Sequence, residues 1–460
     1  MIRVFRHYLH RETLLKILID IGLLVLLMVG VDIIQAQTSN RGLQLAASHG
    51  LSLAAGIFII NSTSGLYQPS HSGTVPQSCV RALLAMMLGL PLAYAIFGLL
   101  PSGVGNGPAT EWAVMIGVVG VIAHRAYANH SSAVPRIQSR IMIFGSGPEA
   151  ILVGSALKSS DPHAQIVGYY AGPNEKQSTV PVRELLSGQQ SLRECAIQLN
   201  VDEIVVALGE RRGGSMPLRE LLDCKTGGIR VSDISTHFEK TSGQIKLDYV
   251  NAGWLIFGDG FNRGIYPGIV KRLFDIVCTL ILLALAAPVI LFTICLIFIE
   301  SKGPIFYRQE RVGCGGKSFN VLKFRSMKID AEKNGTPRWA AAQDDRTTRV
   351  GRVIRRFRID EIPQLLNVLK GDMSLVGPRP ERPFFVEQLT REIPYYAVRQ
   401  SVKPGITGWA QVRYQYGANL TDSREKLQYD LYYVKNHTLF LDLVILFETV
   451  DVVASGRGAR

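Results

Sequence analysis

Apolar residues run in long blocks at the start of this chain and alternate with polar ones only further on. Four blocks fill the first quarter, roughly Leu14–Ile34, Leu43–Ile60, Val80–Leu100 and Ala109–Ala128. Each approaches the ~20 residues a helix needs to cross a bilayer. The second is the least apolar, with Gln44, Ser48 and His49 inside it. A soluble helical bundle needs a charged face between such runs, and none intervenes. No small-x-small cleavage site follows the first block, so it reads as an anchor rather than a signal peptide. Arg3, Arg6, Arg11 and Lys16 lie at its start, and Arg125, Arg136 and Arg140 follow the fourth. An even number of spans with basic residues at both ends puts both ends in the cytoplasm.

From about Arg136 the period shortens. "RIMIFGSGPEA", "IVGYYAG", "VDEIVVALG" and "IRVSDI" predict strands, and "LRECAIQLN" and "LRELLDCKTGG" predict helices between them. This alternation predicts a parallel α/β sheet. Gly145, Gly147 and Ala150 fit the glycine turn of a dinucleotide fold. Such a site also needs an acid at the end of the next strand, and "GYYAGP" has none. The segment is therefore Rossmann-like, with no ligand assigned.

A fifth apolar block, Ile276–Ile299, is long enough to span but carries Pro288 at its middle. Lys271 and Arg272 flank it on one side, and Lys302, Arg308 and Arg311 on the other. Equal basic flanks conflict with a single crossing. A helix that enters, breaks at Pro288 and returns resolves the conflict, with an ordinary kinked span as the alternative. Near the C-terminus, "LFLDLVILFETVDVV" is too short and too charged to span. It predicts an amphipathic helix packed on the domain or lying in the interface.

Charge changes the picture in one region. Net charge is +13 while 47% of residues are apolar, and from Lys302 to Arg358 there are 15 Lys/Arg against 5 Asp/Glu. Such a field suits phosphate groups, nucleic acid or anionic lipid. The six cysteines form no CxxC pair, which excludes a disulfide framework or zinc site and fits a reducing cytosolic side.

At the end of that basic region stands "RRFRIDEIPQLLNVLKGDMSLVGPRPE", Arg355 to Glu381. Asp360 is placed to cap a short helix, Pro363 is tolerated in its first turn and Gly371 ends it. Capping alone would account for the acids. The surroundings add a second reading. Arg355, Arg356, Arg358 and the helix dipole would keep a carboxylate ionised, and free N–H groups at a helix start bind phosphate. An ionised aspartate is a nucleophile toward phosphorus. A neighbouring glutamate is a hard oxygen ligand for Mg²⁺.

From Ile269 onward the chain resembles the catalytic domain of the bacterial sugar transferases, the polyprenyl-phosphate monotopic phosphoglycosyl transferases. The resemblance rests on "KRLFDIV", "GPIFYRQERVG", "FNVLKFRSM", the stretch from "DDRTTRVG" to "GPRPE", "KPGITGWAQV" and "YDLYYVKNHTLFLDL". The layout resembles large members that begin exopolysaccharide or O-antigen repeat units. "WAQVRYQYGA" and "GRGAR" are similar to the exopolysaccharide subgroup.

That resemblance implies a membrane protein in three parts. Residues 1–135 would form a four-helix transmembrane bundle, and 136–262 an α/β Rossmann-like cytoplasmic domain. Residues 263–460 would form a mainly helical α/β monotopic catalytic domain with a re-entrant membrane helix at about 270–300. It implies that Asp360 attacks the β-phosphorus of a UDP-sugar, that UMP leaves, and that undecaprenyl phosphate then takes the phosphosugar. Glu361 is implied as the Mg²⁺ ligand, and Lys323, Arg325, Arg355, Arg379 and Asp430 as substrate-binding positions. The family's re-entrant helix breaks at a Ser-Pro pair, which is Ala287-Pro288 here.

The expected donor carries a hexose such as glucose or galactose. The expected partners are that UDP-sugar, undecaprenyl phosphate and the lipid bilayer, with no nucleic acid and with a homodimer as one assembly. The expected location is the bacterial inner membrane, multi-pass, with catalysis on the cytoplasmic face. Two other readings compete. One is a membrane-bound NAD-dependent nucleotide-sugar oxidoreductase or epimerase built on Gly145–Ala150, which lacks the ribose acid and a YxxxK pair. The other is a non-catalytic scaffold of polysaccharide assembly. Release of UMP separates the three.

Overall fold

The computed structural model of the chain describes residues 2–4, 7–9, 11–34, 50–58, 60–61, 85–87, 89, 112, 115–123, 139–160, 164–172, 178–186, 190–208, 216–250, 260–261, 265–300, 303–327, 346–414 and 419–454. They fall into two compact units, one of Pro135–Asp259 and one joining the N-terminal segments to Gly260–Arg460.

The first apolar block is helix α1, Arg11–Ile34. The described parts of the other three blocks are helical as well. Leu24 and Met28 of α1 pack with Leu53, Ile57, Ala85, Val118 and Ile122, so every block contributes to one shared core. The rest of the four-span expectation lies outside the described residues.

In the unit Pro135–Asp259 the alternating pattern forms the parallel sheet it predicts. The strands are β1 (Ser139–Phe144), β2 (Ala164–Tyr170), β3 (Glu203–Val206) and β4 (Arg230–Asp233). The helices are α2 (Pro148–Ser160), α3 (Leu192–Gln198), α4 (Leu218–Thr226) and α5 (Ile234–Ser242). All pairings are parallel, in the order β2-β1-β3-β4. Met142 and Phe144 of β1, with Ile204 and Val206 of β3, bury against α3 and α4. Ile141 and Ile143, with Val205, bury against α2 and α5. Strands covered on both faces have no polar side, which is why they read as continuous apolar runs.

The glycine turn follows β1. Gly145 has φ +136°, and a Cβ there would meet the Ala207 carbonyl, so only glycine fits. The helix after it opens with Pro148, which has no amide donor, and Glu149, an anion where a pyrophosphate would lie. Both features tell against a dinucleotide.

The second unit continues with α6, Ile265–Glu300. It is the one stretch among the described residues long and apolar enough to cross a membrane. Here the structure corrects one expectation, because the helix runs on through Pro288 without interruption. A proline removes one hydrogen bond and crowds the preceding turn, which bends a helix without having to end it. Downstream, Thr293 donates its hydroxyl to the Val289 carbonyl at 2.7 Å.

The middle of α6 is bare, with Leu285 71% and Leu291 64% exposed. Its two ends are docked. Near the start, Arg272 donates to the carbonyls of Val368 and Leu369 at 2.6 and 2.7 Å. Near the end, Ile297 packs on Phe324 and Ile354.

After α6 comes the antiparallel hairpin of β5 (Phe306–Val312) and β6 (Ser318–Phe324). Helix α7 (Arg349–Arg356) follows, capped by the Thr348 hydroxyl on the Gly351 amide. A 3-10 turn, Ile359–Glu361, leads to α8 (Gln364–Lys370), which ends at Gly371 in the left-handed region as expected. Strand β7 (Ser374–Val376) pairs in parallel with β8 (Gly405–Thr407), and α9 (Pro383–Glu392) lies between them in sequence. Helices α10 (Trp409–Arg413), α11 (Leu420–Asn436) and α12 (Leu439–Ala454) complete the unit. Leu441, Asp442 and Ile445 of α12 are buried, in keeping with a helix packed on the domain.

Candidate active site

The acidic pair does not sit where the sequence pattern places it. Arg358 adopts φ +54°, a left-handed conformation that ends α7 and costs roughly 1–2 kcal/mol for a residue with a side chain. Asp360 and Glu361 then fall in the 3-10 turn, and α8 starts later with Pro363 as its cap. Asp360 is therefore no N-cap. The amides of Glu361, Ile362, Leu365 and Leu366 are spent on carbonyls three residues back. What the structure gathers at this site for a phosphate is a set of cationic side chains.

Three elements bring those cations in. Asn367 of α8 accepts from the Leu322 amide at 3.0 Å and donates to the Asn320 carbonyl at 2.8 Å, completing the free edge of β6. This fixes β6 beside the 3-10 turn, and Lys323 reaches Glu361 Oε1 at 3.1 Å. The turn 377–381 supplies Arg379, whose Nη2 lies 2.6 Å from the same oxygen. Arg358 lies 3.8 Å from Glu361 Oε2. Arg355, in the last turn of α7, acts on Asp360 through its charge.

Both acids are buried, yet their electrostatics diverge. Burial alone would raise Glu361, but Arg379 and Lys323 outweigh it and hold its carboxyl well below the usual range. Asp360 is pushed up to about 6, first by burial and then by the charge of Glu361, with Lys323, Arg355 and Arg379 pulling only part of the way back. One carboxylate is locked in ion pairs. Its neighbour is left at the point where it gains and loses a proton near neutrality.

Among the described residues no group of three or more His, Cys, Asp or Glu could cage a metal. Mg²⁺ needs less, since one or two carboxylates plus substrate phosphates suffice. Two adjacent hard oxygen donors whose repulsion helps raise Asp360 fit that ion. Glu361 Oε2, with contacts only at 3.4 and 3.8 Å, is its less committed oxygen.

The turn carrying Arg379 is held unusually firmly. Its prolines lack amide donors, so the hold falls on its carbonyls. Pro378 accepts from the Gly405 amide at 3.0 Å and Glu381 from the Val312 amide at 2.9 Å. Arg379 accepts from Arg399 Nη2 at 2.9 Å, and Pro380 from Arg311 Nη1 at 3.0 Å. Gly377 and Gly405 pack backbone to backbone, too close for any Cβ.

The structure thus brings Asp360, Glu361, Lys323, Arg355 and Arg379 together. Arg325 is buried beside them in sequence, its amide bonded to the Ile305 carbonyl. Asp430 stands apart. It is buried in an ion pair with Arg399 at 2.8 Å, and Arg399 in turn donates to the Arg379 carbonyl. Arg399 and Arg311 escape sequence reasoning, because their targets are main-chain carbonyls 20 and 69 residues away.

Comparison with known proteins points the same way. The sequence pattern of the family described as bacterial sugar transferase matches residues 266–456. The chain is 46% identical over 242 residues to the UDP-N-acetylgalactosamine-undecaprenyl-phosphate N-acetylgalactosaminephosphotransferase of Aeromonas hydrophila, covering 53% of this chain and 56% of that protein. It is 45% identical over 184 residues to the UDP-glucose:undecaprenyl-phosphate glucose-1-phosphate transferase of Caulobacter vibrioides, covering 39% of this chain and 68% of the relative. It is 43% identical over 192 residues to the uncharacterized sugar transferase EpsL of Bacillus subtilis, covering 42% and 91%. The chain therefore spans little more than half of the Aeromonas relative but nearly all of the shorter Bacillus one. On this combined ground the chain belongs to the bacterial sugar transferase family.

Proposed function

We propose that the chain moves a sugar 1-phosphate from a UDP-sugar to undecaprenyl phosphate and releases UMP, the first membrane step of an exopolysaccharide or O-antigen repeat unit. The observation that carries this reading is the contrast within one dipeptide. A titratable aspartate stands beside a glutamate kept ionised by cations, with Lys323, Arg355 and Arg379 around the pair.

Ionised Asp360 attacks the β-phosphorus of the donor. A bond forms from its carboxylate oxygen to phosphorus, and the bond to the bridging oxygen breaks, so UMP leaves with that oxygen and its charge. The aspartyl phosphosugar is then attacked by a phosphate oxygen of undecaprenyl phosphate. The carboxylate is released, and the product is a lipid diphosphate sugar. Neither displacement needs a proton. Lys323, Arg355 and Arg379 offset the phosphate charge that crowds the site. Glu361 would hold Mg²⁺, which supplies further neutralisation of the diphosphate when bound. The relatives' names include both glucose and N-acetylgalactosamine, which supports a UDP-hexose or its N-acetyl form as donor.

The docking of α6 supports a monotopic attachment. A straight helix would separate Arg272 from Ile297 by about 37 Å. Their contacts are nevertheless joined by a short path through Val368, Asn367, Leu322 and Phe324. A helix that bends at Pro288, dips its bare middle into one leaflet and returns satisfies both ends. The catalytic domain then faces the cytoplasm, where UDP-sugars are made, below a four-helix N-terminal bundle.

The test is direct. Purified chain, undecaprenyl phosphate and UDP-glucose, UDP-galactose or UDP-N-acetylgalactosamine should yield UMP, and Asp360→Asn should yield none. Release of UDP instead would indicate an ordinary glycosyl transferase and overturn the reading.

A further inference from the structure

We propose that Arg399 is a positioning residue for Arg379, acting on the reaction only through the main chain of that neighbour. The inference rests on the transfer reading above. Arg399 is buried, and its guanidinium joins three groups. Nε and Nη2 face Asp430 Oδ2 at 2.9 and 2.8 Å. Nη1 meets the Tyr396 hydroxyl at 3.1 Å, and Nη2 donates to the Arg379 carbonyl at 2.9 Å.

This arrangement is poorly explained by stability alone. A buried ion pair recovers little beyond its desolvation cost, and apolar residues of similar volume often serve as well. What the fork adds is direction. Asp430 holds the planar group along its Nε–Nη2 edge, and the same Nη2 also fixes the main-chain carbonyl of Arg379. Arg379 in turn sets the position of Glu361, which it contacts at 2.6 Å. Asp430 thereby acquires an indirect role, two contacts removed from the reacting phosphorus.

A lysine at 399 keeps the charge but cannot bridge Asp430, Tyr396 and the Arg379 carbonyl at once. Arg399→Lys should fold and lower kcat for UMP release roughly 10- to 100-fold, leaving KM for the UDP-sugar within about threefold, as a misplaced catalytic neighbour does. The decisive readout is a double-mutant cycle with Arg379→Lys. If Arg399 acts through Arg379, the double variant is no slower than the slower single variant. Losses that multiply would show an independent role and overturn the proposal. Should Arg399→Lys fail to fold, Asp430→Asn enters the same cycle with the same two outcomes. Should the wild-type chain release no UMP, the function reading itself has failed. The cycle is then read on UDP binding by calorimetry, where multiplying losses again overturn the proposal.

Discussion

Asp360 and Glu361 share a backbone turn and differ in what surrounds their oxygens. Because Asp360 sits at about 6, its ionised fraction rises through that pH. Log kcat/KM should therefore climb with unit slope below about pH 6 and level off above it. Replacing Glu361 with Gln removes the like charge and frees Lys323 and Arg379 to act on Asp360. Residual activity in that variant should be far lower, with its acid limb moved to lower pH. An unmoved limb would show that another group controls it. The same residue carries a stability consequence of defined sign. A carboxyl whose folded value is raised above 3.8 costs stability once pH exceeds that unfolded value, and the full cost is reached above about 6. Asp360→Asn should abolish turnover and also stabilise the protein above pH 6, by on the order of 3 kcal/mol, with no gain at pH 3. Thermal melts at the two pH values check this. Loss of stability at both would mean that the acid is structural.

Among the elements, α6 bears most directly on the proposed monotopic attachment. Lys271 near the start of α6 lies 2.7 Å from Asp442 and 3.4 Å from the Val376 carbonyl, in the strand that leads into the Arg379 turn. Helix α6 is thus tied to the strand that leads into the site. In a background lacking the six native cysteines, single cysteines at Lys271 and at Lys302, which lies outside the described residues, should both resist an impermeant thiol reagent in intact cells and react after lysis. Labelling of either from outside would establish a true crossing, and Pro288→Leu should drive the helix toward that state. Much of the fold is legible in the sequence, the parallel sheet from its alternation and the end of α8 from Gly371, but the charges of α12 mark no solvent face, because Asp442 is buried against Lys271. The legible features are local. Asp360 does not cap α8 because the chain turns left-handed at Arg358, and no residue preference in the sequence announces that turn. The helix continues past Pro288 because a proline removes a hydrogen bond and bends a helix without having to end it. The carbonyl clamp on the Arg379 turn was invisible, since arginines that hold main chain look like any others until the fold joins them.

In the whole molecule the two units should respond to different conditions. Within Pro135–Asp259, burial alone would raise Glu203, but His237, Ser232 and Arg230 outweigh it and bring the carboxyl down to about 2. A depressed acid contributes stability that is present above its unfolded value of 4.5 and lost as pH falls toward 2. Glu203→Gln should therefore weaken this unit at neutral pH, by on the order of 3 kcal/mol, and lose that effect near pH 2. Hydrogen exchange resolved by peptide would register it within this unit. The other unit holds every residue assigned to the reaction. A detergent-stabilised segment from Phe261 onward should keep UMP release, although Phe447 of α12 would lose its edge-on ring contact with Phe58. The central claim is the covalent step, and rapid-quench mass spectrometry tests it most directly. The full chain is mixed with UDP-sugar and Mg²⁺, with no undecaprenyl phosphate present. A phosphosugar adduct should appear on the peptide containing Asp360, matched mole for mole by UMP, and should vanish when undecaprenyl phosphate is added. Steady turnover with both substrates but no adduct at any quench time would contradict the account.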